Sequence, residues 1–280
     1  MTRAPSRVGS LFIVSTPIGN MGDFSFRAVE VLKSVSVVLA EDTRHSRALL
    51  DRYDISTPMA SYHEHNEAKT TAALVARLLA GEDLALVSDA GTPLVSDPGQ
   101  RLVAAAIDAG VRVVPVPGAS AVMAALVASG LETERFTFIG FLPRKGRDRA
   151  SALSEVASSA VTVVLYEAAN RVAATLADVA KSNPERRACV ARELTKQFEE
   201  CRRGTVSELA TYYNREAPRG EVVIVLAGAA RRGMDEAALG REAVALRAKG
   251  LSVRDVTAEL VKRGARRNVA YRMARGAEDG

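Results

Sequence analysis

The chain has 280 residues, is 48% hydrophobic and carries 38 Lys+Arg against 33 Asp+Glu, so it is long enough for two domains and apolar enough to bury a substantial core. No apolar run reaches the roughly 18 residues of a membrane-spanning helix, and the N-terminal MTRAPSRVGS lacks the apolar stretch of a signal peptide. Cys189 and Cys201, the two cysteines, give neither a disulfide framework nor a zinc spacing, so a cytoplasmic location is expected.

In chain order, Leu11-Phe12-Ile13-Val14 reads as a strand and Ser15 to Asn20 as the loop at its carboxyl end. Phe26, Val29, Leu32 and Lys33 follow helical spacing, and Val35 to Ala40 is a second buried strand. That strand runs into Glu41-Asp42-Thr43-Arg44-His45, and a helix over 46–53 is expected next. Met59 to His63 is a short strand. Residues 67–80 form an amphipathic helix with Leu74, Val75, Leu78 and Leu79 inward.

The stretch Leu84 to Gly99, LALVSDAGTPLVSDPG, is the centre of the chain. It opens as a strand buried on both faces and breaks at Gly91, a residue that lets a ligand approach the main chain. Asp97 then reads as a helix cap with Pro98 at the first helical position. The helix runs to Asp108, closed by Gly110. A strand over 111–116 and a helix over 121–129 follow. This alternation predicts a mainly parallel sheet over residues 10–130, with ligands at the carboxyl ends of its strands.

A second α/β unit is expected over 131–230. Its strands are Phe136 to Phe141, Val161 to Tyr166, Ala188 to Ala191 and Gly220 to Ala227, with a short hairpin at 202–205. A basic loop spans 142–149, and a helix opens at 167–171. Residues 231–280 read as three helices, near 235–249, 252–263 and 268–275, the last two as a helix-turn-helix. They carry 12 Lys+Arg against 7 Asp+Glu, whereas the first 230 residues carry 26 of each, so the entire +5 lies in the tail. A local basic excess points to a polyanion such as nucleic acid.

The common nucleotide-binding and metalloprotease patterns are missing from the sequence. His63 and His65 would share one strand face, but no third ligand is signalled and no metal is expected. Three charges at the end of a buried strand, Glu41, Asp42 and Arg44, are costly unless paired or functional. An Asp42–Arg44 ion pair fixing the loop is the plain alternative.

Nine motifs in order, STPIGN (15–20), AEDTRHS (40–46), YHEHNE (62–67), LVSDAGTPLVSDPG (86–99), VPVPGASA (114–121), IGFLPRKG (139–146), LYEAANR (165–171), ARELTK (191–196) and RGEVVIVLAG (219–228), resemble the ribosomal RNA small subunit methyltransferase I group of the tetrapyrrole methylase superfamily. The resemblance covers about residues 10–275. It implies two α/β domains with S-adenosylmethionine in the cleft between them, and a homodimer. It also implies 2′-O-methylation of a cytidine in the decoding region of 16S rRNA, within the small ribosomal subunit.

Carried over, Pro17 matches the first-loop position near the cofactor. Asp89, Gly91, Thr92 and Leu94 match the loop facing its methionine part, and Ser120 and Ala121 the contact after the strand ending at Val116. Phe141, Tyr166, Ala191, Glu193, Glu221, Val222 and Val223 fall on the second side of the cleft. Asp42, Glu41 and His63 are candidate bases for the hydroxyl proton, with Arg44 beside them. Arg44, Arg144, Lys145 and Arg147 are candidate phosphate contacts, with Arg266 and Arg267 in the tail. Two other readings exist: a methylase of a small tetrapyrrole precursor, or a non-enzymatic ribosome-assembly binder. The first is opposed by Thr16-Pro17-Ile18-Gly19-Asn20, where porphyrin-modifying members carry a glycine-proline-glycine turn, and by the basic tail. The second is opposed by the intact glycine-proline loops.

Overall fold

The computed structural model describes residues 7–229, 236–265 and 267–277. The apolar runs of the first half become β1 (Ser10–Val14), β2 (Val37–Ala40), β3 (Met59–Ser61), β4 (Leu84–Val87) and β5 (Arg112–Val116). They pair in the order β3-β2-β4-β1-β5, and every pair is parallel. The helices are α1 (Phe26–Ser34), α2 (Thr43–Arg52), α3 (Glu67–Leu79), α4 (Gln100–Asp108) and α5 (Ala121–Ser129).

A parallel sheet needs cover on both faces, and alternate residues supply it. Val38, Ala40, Ala85 and Val87 join one core with Leu32 and Leu50. Val37, Leu39, Leu84 and Leu86 join another with Leu74, Leu78 and Leu102.

The second sheet contains β6 (Phe136–Phe141), β7 (Thr162–Ala168), β8 (Arg187–Arg192), β9 (Glu200–Thr205) and β10 (Glu221–Leu226). Its order is β6-β7-β10-β8-β9. Only β6 and β7 run parallel; the other pairs are antiparallel. Its helices are α6 (Gly146–Ser158), α7 (Val172–Ala180) and α8 (Val206–Arg215), the last held by a Thr205–Glu208 capping box.

One face packs Val163, Leu165, Val190 and Ile224 against Leu176 and Leu209. The other face, with Val164, Ala191, Val223 and Val225, receives Val122, Ala125 and Leu126 of α5. That packing sets the N-terminus of α5, at the carboxyl end of the first sheet, against β10. Both sheets lie in one compact unit, Met1–Ala157 with Val161–Ala227.

A second unit, Ser158–Ala160 with Gly228–Gly280, contains α9 (Glu236–Ala248), α10 (Val253–Lys262) and α11 (Arg267–Gly276). Its own core is built from Leu239, Ala243, Val256, Leu260, Ala270 and Ala274.

Several expectations are corrected locally. α2 begins at Thr43 because Asp42 caps it, accepting from the Arg44 backbone N–H at 2.8 Å. α4 begins at Gln100 with Gly99 at φ +131° as its cap, so Asp97 is still in the loop. β3 ends at Ser61, and His63 lies in a turn whose N–H donates to Asn66 Oδ1 at 2.9 Å. α6 starts inside the expected basic loop, and its Arg149 pairs with Asp178 at 3.0 Å. β7 runs on through Glu167 and Ala168. Phe26 is 92% exposed, and Phe24 takes the buried place, 5.1 Å from the Tyr53 ring. Leu79 is exposed, and Thr71 fills the inward position on α3.

Candidate active site

A cavity of about 450 Å³ opens between the carboxyl edge of the first sheet and the second sheet. Ile18, Glu41, Asp89 to Thr92 and Val95 to Asp97 form its first wall, with Ser120 and Ala121 at the start of α5. Phe141, Tyr166 to Ala168, Ala191, Leu194 and Gly220 to Val223 form the second.

The loops of the first wall are stitched to one another. Thr16 and Gly91 exchange backbone hydrogen bonds at 2.9 and 3.1 Å. Thr16 Oγ1 donates to the Ser88 carbonyl at 3.1 Å, and Thr92 Oγ1 to the Ala119 carbonyl at 3.2 Å. Gly91 sits at φ +83°, and a Cβ there would stand 3.3 Å from Ile18 Cγ2. Leu94 and Ser96 hold φ of +72° and +69°, strained values for residues with side chains. Strain of this kind clusters at ligand clamps, and here it borders the cavity.

The cavity is acidic. Glu41, Asp89, Asp97, Glu167 and Glu221 line it, and among the described residues no Lys or Arg does, although Glu167 is paired from outside the lining with Arg171 and Glu221 with Lys196. Burial pushes Asp97 up to about 6, against a hydrogen bond from Ser88, and the charges of Glu41 and Asp89 push the same way. Glu41 is also raised, by burial first and then by Asp89, with His63 opposing. The His63 Nδ1 atom is buried without a hydrogen-bond partner. Tyr166 is raised by burial and by Asp97, and its ring is wedged 4.9 Å from Phe138 and 5.4 Å from Phe141.

Asp42 behaves in the opposite way. Arg44 donates to its Oδ1 at 3.1 Å and its Oδ2 at 2.7 Å, and these bonds hold the carboxyl far below the usual carboxylate range. The ion pair weighed as the plain alternative is therefore present.

Of the residues carried over, Asp89, Gly91, Thr92, Ser120, Ala121 and Phe141 line the cavity. So do Tyr166, Ala191, Glu221, Val222 and Val223. Pro17 does not; it lines an adjoining chamber. Leu94 turns into the core beside Gly99. Glu193 is drawn to Lys196 Nζ and to the Glu221 N–H, both at 3.0 Å.

Arg44 lines the adjoining chamber, its side chain 90% exposed. Arg144 and Lys145 are exposed between β6 and α6, Arg147 is exposed on the first turn of α6, and Arg267 is exposed on α11; Arg266 lies outside the described residues. Sequence reasoning missed Asp97 as a cavity residue because its Asp-Pro-Gly context reads as a helix cap. It also missed Ile18, Val95, Leu194 and Gly220, whose types carry no chemical signal, and Ser96 and Glu167, whose polar groups sit in stretches that read as a turn and a helix start. Among the described residues, no group of three or more His, Cys, Asp or Glu is arranged to hold a metal ion.

Residues 10–210 match the family model for Tetrapyrrole (Corrin/Porphyrin) Methylases. The ribosomal RNA small subunit methyltransferase I of Synechocystis is 47% identical over 259 residues, covering 91% of this chain and 93% of the relative. That of Xylella fastidiosa is 50% identical over 244 residues, covering 86% and 89%. The chain belongs to the ribosomal RNA small subunit methyltransferase I family.

Its fold is that of the wider tetrapyrrole methylases. A cobalt precorrin-4 methyltransferase superposes with a TM-score of 0.58 at 19% identity, over 78% of this chain and 94% of that one. A uroporphyrin-III C-methyltransferase from Thermus thermophilus, complexed with S-adenosyl homocysteine, superposes with a TM-score of 0.56 at 19% identity, over 78% and 97%.

Methyltransferases of this family use S-adenosylmethionine, and the cavity suits it. Five lining carboxylates, of which Glu167 pairs with Arg171 and Glu221 with Lys196, match a ligand bearing a sulfonium and an ammonium. Gly91 leaves open the space a Cβ would fill, and Ala121, Val222 and Val223 give an apolar surface for the uncharged parts.

Proposed function

We propose that this enzyme transfers a methyl group from S-adenosylmethionine to the ribose 2′-hydroxyl of a cytidine in the decoding region of 16S rRNA, acting on the small ribosomal subunit in the cytoplasm as a homodimer. The observation that carries this reading is the 43–50% identity, over most of the chain, to relatives named ribosomal RNA small subunit methyltransferase I. The basic tail supports an RNA substrate. Met123 and Val127, one helical turn apart and both exposed on α5, give a second copy an apolar face to cover. In this reading 10–130 and 131–230 are the two cofactor-holding domains, and 231–280 is an RNA-holding appendage.

Bound in the acidic cavity, S-adenosylmethionine supplies an electrophilic methyl carbon on a sulfonium sulfur. Transfer would break the methyl–sulfur bond as the methyl–oxygen bond forms, and the hydroxyl proton would leave to a base. Glu41 is the group assigned to accept it. Its carboxyl lines the cavity and is raised toward a useful proton affinity, and His63 beside it steadies the ionised form. Asp42 is a positioning residue that holds Arg44 and caps α2. Asp97 and Asp89, which line the cavity, would hold the cofactor's positive charge, and Tyr166 belongs to the second wall. Alignment of oxygen, carbon and sulfur by these walls contributes several kcal/mol of the barrier reduction.

The test is transfer of labelled methyl from S-adenosylmethionine to small subunits lacking the modification, with the product nucleoside mapped. A methyl group on the 2′-oxygen of cytidine is expected. Label on a base, or label only on an added porphyrinogen, refutes the reading.

A further inference from the structure

A second chamber of about 420 Å³ adjoins the cofactor cavity. The two share Ile18, Asp89, Ala90 and Glu221 among their lining residues. The chamber has a different electrostatic character from the acidic cavity. Arg44, His45 and Lys196 line it beside the two shared acids Asp89 and Glu221; Arg44 is paired with Asp42, and Lys196 bonds Glu193 at 3.0 Å and Glu221 at 2.9 Å.

Ser46, on the first turns of α2, lines the same chamber. It is only 3% exposed, and its Oγ has no hydrogen-bond partner. A buried hydroxyl without a partner is costly, and a ligand oxygen reaching it removes that cost. Ile18, Met21 and Leu49 add an apolar side.

We infer that this second chamber seats the acceptor nucleotide: its phosphodiester lies along Arg44, His45 and Lys196, a ribose or phosphate oxygen meets Ser46 Oγ, and its base rests on the Met21–Leu49 side. The inference rests on the function proposed above and adds where the RNA enters. The electrostatics supply the reason. Methyl transfer needs two ligands in contact, one cationic and one anionic, and the structure offers two chambers with one common wall. The acidic chamber suits the sulfonium, and the chamber with Arg44, His45 and Lys196 suits the nucleotide.

The test compares the full chain with Ala48→Phe, Ser46→Ala and His45→Ala. Ala48 is an exposed residue of α2 that lines the chamber, so a phenylalanine there fills the space without entering the core. Each protein is assayed for S-adenosylmethionine affinity by calorimetry and for kcat/KM on small subunits lacking the modification, with helix content checked by circular dichroism. Cofactor affinity is expected to stay within about twofold in all three. kcat/KM is expected to fall at least about tenfold in Ala48→Phe and at least about threefold in Ser46→Ala and His45→Ala, mainly through KM. Wild-type kcat/KM in a folded Ala48→Phe, or in Ser46→Ala and His45→Ala together, overturns the assignment. So does a parallel loss of cofactor affinity, which would make the chamber part of the cofactor site. If the wild-type enzyme leaves small subunits unmethylated, the proposed function itself fails, a result separate from any behaviour of the variants.

Discussion

The backbone N–H of Asp42 donates to Asp89 Oδ1 at 3.2 Å, tying the end of β2 to the loop after β4. Burial raises the proton affinity of neighbouring Glu41, and the charge of Asp89 adds to it. The two adjacent carboxylates therefore differ: Glu41 is primed to take a proton, and Asp42 is committed to Arg44.

Glu41→Gln is expected to lower the single-turnover methyl-transfer rate by about 10²-fold, with cofactor affinity near normal. Asp42→Asn loses part of the grip on Arg44 and is expected to act more weakly, about tenfold or less, chiefly on KM. Rapid-quench measurements on the two variants separate the roles. Wild-type transfer in Glu41→Gln would move the proton acceptor elsewhere.

Asp97 is expected to make cofactor binding sensitive to pH. Its carboxyl stands at about 6 in the free protein, above the ordinary 3.8, because burial and two neighbouring acids disfavour its charge. Folding therefore loses some stability as pH rises from about 4 to about 6, where the unfolded carboxyl gives up its proton first; above that window the cost is constant. A bound sulfonium favours the ionised form, so binding releases protons near pH 5.5 and affinity rises with pH up to about 6. Calorimetry in buffers of different ionisation enthalpy reads that release directly. Asp97→Asn should abolish it, and an unchanged release would assign the proton to another group.

Gly91 is constrained twice, by its φ of +83° and by Ile18. Gly91→Ala is expected to cost about 1–2 kcal/mol of stability from the left-handed backbone. It should also weaken S-adenosylmethionine about tenfold, or 1.4 kcal/mol, by pushing Ile18 into the cavity. Gly91→Leu should do more of both. Denaturant unfolding and calorimetry give the two numbers, and an alanine variant with native values for both would remove Gly91 from the cavity's requirements.

On α11, Arg267, Tyr271 and Arg275 follow one another at four-residue spacing, and all three are exposed. Two cations flanking an aromatic ring on one helix face suit a nucleic-acid strand. Charge reversal of Arg267 and Arg275 to Glu is expected to weaken small-subunit binding. The slope of log affinity against log salt should also fall, by roughly one for each phosphate that the helix no longer neutralises. Removal of residues 231–280 should act in the same direction with cofactor binding retained. Filter binding across a salt series that gives the wild-type slope would reduce the tail to a structural role.

The first sheet was legible because its strands are short aliphatic runs between helices, a pattern with one common solution. Gly91 and Tyr166 were placed by motif, and the structure puts both on the cavity. What escaped was set by tertiary packing. Asp97 has the local chemistry of a cap, but it lies in the loop before α4, after the left-handed turns at Leu94 and Ser96, and lines the cavity. Phe26 fits the helical period, but Phe24 reaches Tyr53 first. The role of Asp42 depended on an Arg44 side chain that turns back two residues, which periodicity does not encode.

The strand order of the second sheet bears on how the protein is made. β10, the last strand in the chain, sits at the centre, between β7 and β8. During synthesis the β6–β7 pair and the β8–β9 hairpin emerge first, each with an open edge. Until Leu226 has left the ribosome those pieces have no common partner, and the cavity lacks its Glu221–Val223 wall. The pocket is therefore complete only once β10 is available to pair. A translation product that stops short of Glu221 carries two unpaired strand edges and no working site, which makes it a substrate for chaperones and proteases and not a partly active enzyme.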